Sequence, residues 1–180
     1  FLDVIDSQPA LASIVVRNAE GLELGKHEVS LDVASANSWY AYGPESFATV
    51  GAHVRPNDPR LRQILDSAVA KLREKGHATV LSGYQQPESH VDEMAEAIYD
   101  AVVDLKLTYG NPPASWDIRG QRIRTTEQIL EERVGTCLDT AILFAALLEN
   151  IGLYPVIALV PEHAFVGYIS AKIGVDTPGP

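Results

Sequence analysis

The run at residues 141–148, AILFAALL, constrains this chain more than any other stretch. Wound into a helix it is apolar on every face, so it has no side to turn to water and belongs inside a folded core. The start of that helix is legible too. Thr136, followed three residues later by Asp139, forms a capping box, which puts Cys137 at the first helical position. Gly152, with Pro155 just beyond it, ends the helix. A thiol at such a position meets unsatisfied backbone N–H groups and the positive end of the helix dipole. Both favour the thiolate, which is the nucleophilic form.

After the helix, residues 154–160 (YPVIALV) read as a buried strand, Pro161 and Glu162 as a turn, and residues 163–170 (HAFVGYIS) as the neighbouring strand. His163 opens that second strand. With side chains alternating, His163, Phe165, Gly167 and Ile169 share one face, and the expectation is that this face carries the imidazole to the start of the Cys137 helix. An imidazole there would hold the thiolate as an ion pair and later pass its proton to a leaving group.

These residues resemble the transglutaminase-like superfamily, a relative of the papain-like cysteine peptidases. The matching features are residues 135–139 (GTCLD) ahead of an apolar helix, the Gly152-Leu153 turn with Pro155, and His163-Ala164-Phe165, where the family usually has His-Ala-Trp. More narrowly, residues 112–116 (PPASW) and 120–125 (GQRIRT), the Cys137 segment and residues 163–167 (HAFVG) look like the transglutaminase-like module of large bacterial proteins that also carry a superfamily 1 helicase. The resemblance spans roughly residues 54–169. It implies an α+β, transglutaminase-like (papain-like) core, in which a buried helix starting at the Cys packs on an antiparallel sheet beside an N-terminal β segment. It also implies a Cys137–His163 catalytic pair, an oxyanion or substrate-binding donor at Trp116, for which packing is the other reading, and a third acid orienting the histidine; Gln121 is a second donor candidate by its position in the loop. Asp176 is the candidate for that acid, although it follows His163 closely, and the alternative expectation is an acid beyond Pro180. Asp139 is assigned to the cap instead. The implied partners are a peptide or protein substrate and other domains of a parent protein, a helicase among them. No cofactor is implied.

Composition narrows the alternatives. With 46% hydrophobic and 21% charged residues the chain is an ordinary globular sequence. A single cysteine excludes an intrachain disulfide and a multi-thiolate metal site. The formal net charge of −10 argues against direct contact with nucleic-acid backbones. No run approaches the length of a membrane span and no signal-peptide pattern opens the chain, which makes a cytoplasmic setting the default expectation. The opening Phe1 and the closing Thr-Pro-Gly-Pro suggest a piece of a longer protein.

The rest of the chain reads as support. Residues 12–17 and 28–33 read as strands about a turn near residues 18–21, so residues 1–44 are taken as a β segment, or the end of a preceding β domain, with a linker. Residues 45–180 are taken as the transglutaminase-like domain. In the linker, Trp39, Tyr40 and Tyr42 read as packing aromatics. Leu61, Ile64, Leu65, Ala68, Val69 and Leu72 form one helical stripe. A second helix is expected over residues 89–107, capped by Ser89 and Asp92, with His90 exposed in its first turn. Its acids, Asp92, Glu93, Glu96, Asp100 and Asp104, read as a solvated face and not as a cation site. Residues 109–124 form a loop in which Arg119, Arg122 and Arg124 are expected to pair with acids. A short helix capped by Thr125 and Gln128 follows, closed by Gly135.

One reading is an enzyme in which Cys137 attacks a carbonyl and His163 serves as base and then acid. Hydrolysis follows if water is the second nucleophile, and acyl transfer if an amine is. The other is a catalytically inactive binding or scaffolding module of the same fold.

Overall fold

The computed structural model describes residues 4, 7–111 and 120–170. At its centre lies helix α5 (Cys137–Asn150), with Leu138, Ala145 and Leu147 fully enclosed. On one side, Leu143, Ala146 and Leu147 join Leu61, Ile64 and Leu72 of α2 (Leu61–Glu74) and Met94 and Ile98 of α3 (Glu88–Val103). On the other, Leu138, Ala141 and Ile142 pack with Trp39, Val50, Ile123 and Ala164. A helix held between two apolar layers needs no polar face, which explains its all-round composition. Its C-terminus is a Schellman motif. Gly152 takes φ 85°, its N–H donates to Glu149 O (3.0 Å), and Leu153 N–H donates to Leu148 O (2.9 Å).

Beyond that motif, β7 (Pro155–Val160) and β8 (His163–Tyr168) pair antiparallel, in a register running from Pro155↔Tyr168 to Val160↔His163. Both strands pack on α5, which gives the α+β arrangement of a core helix on an antiparallel sheet. Tyr84 fastens the hairpin to the loop before α3. Its hydroxyl donates to Ile169 O and accepts from Tyr154 N–H.

Two local expectations are corrected. Helix α3 begins at Glu88 after an extended Pro87, so Ser89 is already helical and does not cap it. His90 is buried, 6% exposed, with Nδ1 on Glu93 Oε2 (2.6 Å) and Nε2 on Val80 O (3.0 Å), and it ties the preceding loop to the helix. The acidic face of α3 is solvated as expected, with Asp92, Glu96 and Asp104 exposed. Lys75 pairs with Asp100 (2.7 Å) and Glu96 (2.9 Å), and Lys71 with Asp104 (2.6 Å), which links α2 to α3. Exposed pairs of this kind contribute about 0–1 kcal/mol each.

His90 makes stability depend on pH. Burial pulls its pKa down, but the bonds to Glu93 and Val80 outweigh it and the net shift is upward from 6.5. A histidine raised on folding contributes fully below its unfolded pKa, and the contribution disappears as pH rises through the folded value. The urea midpoint of the wild type should therefore exceed that of His90→Gln most at about pH 5.5, and the gap should shrink by about pH 8.5. A gap that widens with pH would contradict this. His77 also reaches Glu93 (3.1 Å), so the comparison is best repeated in a His77→Gln background.

Toward the site, β3 (Ser38–Trp39), α1 (Pro44–Phe47) and the 3-10 turn Ala48–His53 lead to α2. Trp39 is buried as packing and its indole N–H donates to Thr49 Oγ1 (3.1 Å). After α3 come β4 (Thr108–Tyr109), β5 (Gln121–Arg122), α4 (Thr126–Glu132) and β6 (Val134–Gly135). The Thr125–Gln128 capping box is present. Helix α4, however, closes at Arg133, a left-handed residue with φ 55°, and not at Gly135, which is strand.

The chain divides into two compact units, Phe1–Ser38 and Trp39–Pro180. In the first, β1 (Gln8–Arg17) and β2 (Glu23–Val33) form an antiparallel hairpin, closed by a turn in which Leu22 N–H donates to Asn18 Oδ1 (2.8 Å). Ala10, Ala12, Ile14 and Val16 lie on one face with Val29 and Leu31, by their register.

Candidate active site

The start of α5 is tightly built. Thr136 Oγ1 accepts from Asp139 N–H (3.1 Å) and Asp139 Oδ2 accepts from Thr136 N–H (2.9 Å), the reciprocal pair of a capping box. Asp139 is 0% exposed, and it also accepts from the Arg124 N–H (2.8 Å) and from Arg124 Nη1 (3.0 Å). One carboxylate therefore fastens the chain before β6 to the first turn of the helix, which is a structural role. For Arg124, burial pulls the pKa down, but the bonds to Asp139 and Glu132 outweigh it and the net shift is upward. Arg124 thus pairs with acids as expected, while Arg119 lies outside the described residues.

Cys137 follows, 5% exposed, at the first helical position. The parallel pairing of β4 with β6 sets Tyr109 opposite Gly135, with Gly110 N–H donating to Gly135 O (3.0 Å). From there the Tyr109 hydroxyl reaches Cys137. A hydrogen bond to the Cys137 side chain, then the electrostatic effect of that side chain, then partial desolvation raise the phenol pKa above its usual value, and the Cys137 backbone N–H opposes them. Its pairing opposite Gly135 sets Tyr109 beside the start of α5, which makes it a candidate donor to an oxyanion formed at Cys137. Sequence patterns miss Tyr109, because a two-residue parallel bridge leaves no local signal.

His163 stands differently from expectation. The face of β8 turned to the helix carries Ala164, which is buried in one cluster with Cys137, Leu138 and Ala141, and Val166. His163, Phe165 and Gly167 occupy the opposite face, and Phe165 is 53% exposed. The alternation holds, but the face turned to the helix is the one opposite to that expected. The chain of His163 does arrive beside the start of α5 through Ala164. Its imidazole meets Phe165 edge-on, with centroids 4.5 Å apart, and among the described residues no hydrogen bond joins it to Cys137.

Gln121 is 1% exposed and donates from Nε2 to Thr136 Oγ1 (3.3 Å), one residue from the thiol. Its Oε1 has no partner among the described residues. Turning the amide over keeps the contact, because the Thr136 hydroxyl can donate to Oε1, and makes Nε2 the free group. Trp116 and Asp176 lie outside the described residues. No group of three or more His, Cys, Asp or Glu among the described residues is arranged to hold a metal. No helix among them is long and apolar enough to cross a membrane.

A groove of about 470 Å³ opens beside Cys137, between α3, α5 and β8. Its walls include Tyr99, Phe144, Phe165 and Tyr168. A thiol at one end of an open, largely apolar groove is the arrangement a covalent acyl intermediate needs.

A family model described as a transglutaminase-like domain matches residues 69–177. None of the curated proteins matches the chain. Among solved structures, a candidate protease from Parabacteroides distasonis is similar, with a TM-score of 0.38 and 15% identity over 86% of this chain. The chain spans only 31% of that protein's length.

Proposed function

The chain belongs to the transglutaminase-like domain family, and from that premise we propose that it houses a cysteine-dependent centre for acyl transfer or amide hydrolysis. The observation that carries this reading is the position of Cys137, at the capped start of a core helix and at the end of an open groove. The thiolate attacks the carbonyl carbon of a peptide or protein amide. The oxyanion is held by the Cys137 N–H, with Tyr109, Gln121 and Trp116 as further donors. His163, after a turn of its side chain toward the helix start, gives a proton to the departing amine, and Asp176 orients it. Expulsion of that amine leaves a thioester. Water or a second amine, deprotonated by His163, then attacks the thioester and restores the thiolate.

The narrower resemblance of residues 120–125 and the Cys137 segment supports one further reading, that this is a module of a larger bacterial protein beside a helicase. A cytoplasmic setting, where a lone thiol stays reduced, suits this chemistry. The absence of a Cys137–His163 hydrogen bond among the described residues favours the second reading, a domain of the same fold that binds without turnover.

The deciding experiment is acylation by p-nitrophenyl acetate. A burst of nitrophenolate with one acetyl group on Cys137 is expected, slower in Tyr109→Phe and absent in Cys137→Ala. No burst from the native protein would contradict the enzyme reading and leave the binding module.

A further inference from the structure

The groove beside Cys137 is chemically lopsided. Two acids line it, Asp92 and Glu96, and no base does so among the described residues. Those two acids are not equivalent. Glu96 is paired with Lys75 at 2.9 Å, so its charge is already compensated. Asp92 instead accepts a hydrogen bond from the neutral Tyr168 hydroxyl (2.7 Å), which fixes the carboxylate and leaves its charge unopposed. Burial first, and then the Asp92 bond and charge, push the Tyr168 phenol up to about 12, so it remains a neutral donor throughout the physiological range.

The walls continue the pattern. Tyr99 and Phe144 stack with centroids 6.1 Å apart. That is an apolar channel ending in a fixed negative charge. Its length follows from the elements. Ala164 is buried with Cys137 and Ala141, whereas Tyr168 packs with the cluster that holds Leu147 and Leu148, so β8 and α5 run the same way along the groove. The four steps along the strand from Ala164 to Tyr168 cover about 13 Å, so the thiol and Asp92 stand at opposite ends.

Resting on the proposed acyl chemistry, we infer that the groove selects an acyl-donor peptide carrying a lysine or arginine about two to four residues from the reacting carbonyl. The aliphatic stem lies along Tyr99 and Phe144 and the cationic head meets Asp92. A long basic side chain matches both halves of the channel, because its methylenes need apolar cover and its head needs a counter-charge. The formal net charge of −10 favours the same class of partner at longer range.

The test measures binding and not turnover, so it stands apart from the acylation experiment. Full-length Cys137→Ser protein is titrated with fluorescein-labelled, alanine- and leucine-based short peptides that differ at one position: lysine, norleucine or glutamate. The lysine peptide should bind about five- to tenfold tighter than the norleucine peptide at low salt, and the glutamate peptide weakest. Added salt should narrow the gap. Asp92→Asn should abolish the preference, while Glu96→Gln should retain most of it because Lys75 already neutralises Glu96. Equal binding of all three peptides, no binding of any, or a preference that survives Asp92→Asn would each overturn the inference. A missing nitrophenolate burst, with the lysine preference intact, would instead remove the enzymatic reading and leave a groove that recognises basic peptides.

Discussion

Replacing Asp139 with alanine is expected to destabilise the domain by about 3–5 kcal/mol. The carboxylate is 0% exposed and accepts from the Thr136 N–H, the Arg124 N–H and Arg124 Nη1. Its removal leaves two backbone donors without an acceptor and the Arg124 guanidinium with only Glu132. Each stranded buried donor costs about 1–3 kcal/mol, so the damage far exceeds the loss of one surface ion pair. Asp139→Asn should cost less, since an amide oxygen in the place of Oδ2 can still accept from both Thr136 N–H and Arg124 Nη1. Urea denaturation gives the measurement, with a lower midpoint at unchanged slope. A loss below about 1 kcal/mol would mean that Asp139 is not the clasp described here. The same variant loosens the helix start that positions Cys137, so thiol reactivity should fall with stability.

Gly83→Ala is the second large effect, at about 2–5 kcal/mol. Gly83 opens the 3-10 turn Gly83–Gln85 with φ 53°, a left-handed conformation that costs a residue with a Cβ. The space is closed as well. A Cβ there would stand 2.7 Å from the carbonyl oxygens of both Ile151 and Gly152. These are backbone atoms of the α5 terminus and cannot rotate away. Relief requires the turn to lift off the helix end, which would pull Tyr84 from its bonds to Ile169 O and Tyr154 N–H. Thermal unfolding should show the loss directly, and Gly76→Ala is the comparison. That residue also has positive φ, at 75°, but nothing lies within 4 Å of its Cβ position, so only the conformational part of the cost remains. Equal losses in the two variants would show that crowding at Gly83 contributes nothing.

What could be read in the sequence follows the range of the interactions. The Thr136–Asp139 box, the placement of Cys137, the core position of AILFAALL and the pairing of β7 with β8 are set by residues within a few positions of one another, and each is found as expected, whereas β7, expected as a buried strand, packs one face only and leaves Val156 and Val160 exposed. Which face of β8 meets the helix was not legible. Phe165 and Val166 are both apolar, so alternation alone does not say which one is inward, and the structure turns Ala164 and Val166 to α5. The burial of His90 depends on Val80 O, which arrives from a loop with no pattern of its own. Tyr109 reaches Cys137 only because β4 pairs with β6 at long range. The spacing of Thr136 and Asp139 shows the structural role of Asp139, whereas its hold on Arg124 depends on the tertiary fold.

The most direct measurement of the central claim, that Cys137 and His163 act as a pair, is the rate of iodoacetamide alkylation at Cys137 in native protein and in His163→Ala between about pH 5 and 9. The expected result is a native rate that exceeds the His163→Ala rate by roughly tenfold or more at neutral pH, with both proteins equally folded by circular dichroism. Identical rates across that range, or a thiol that does not react while the fold persists, would contradict the pairing.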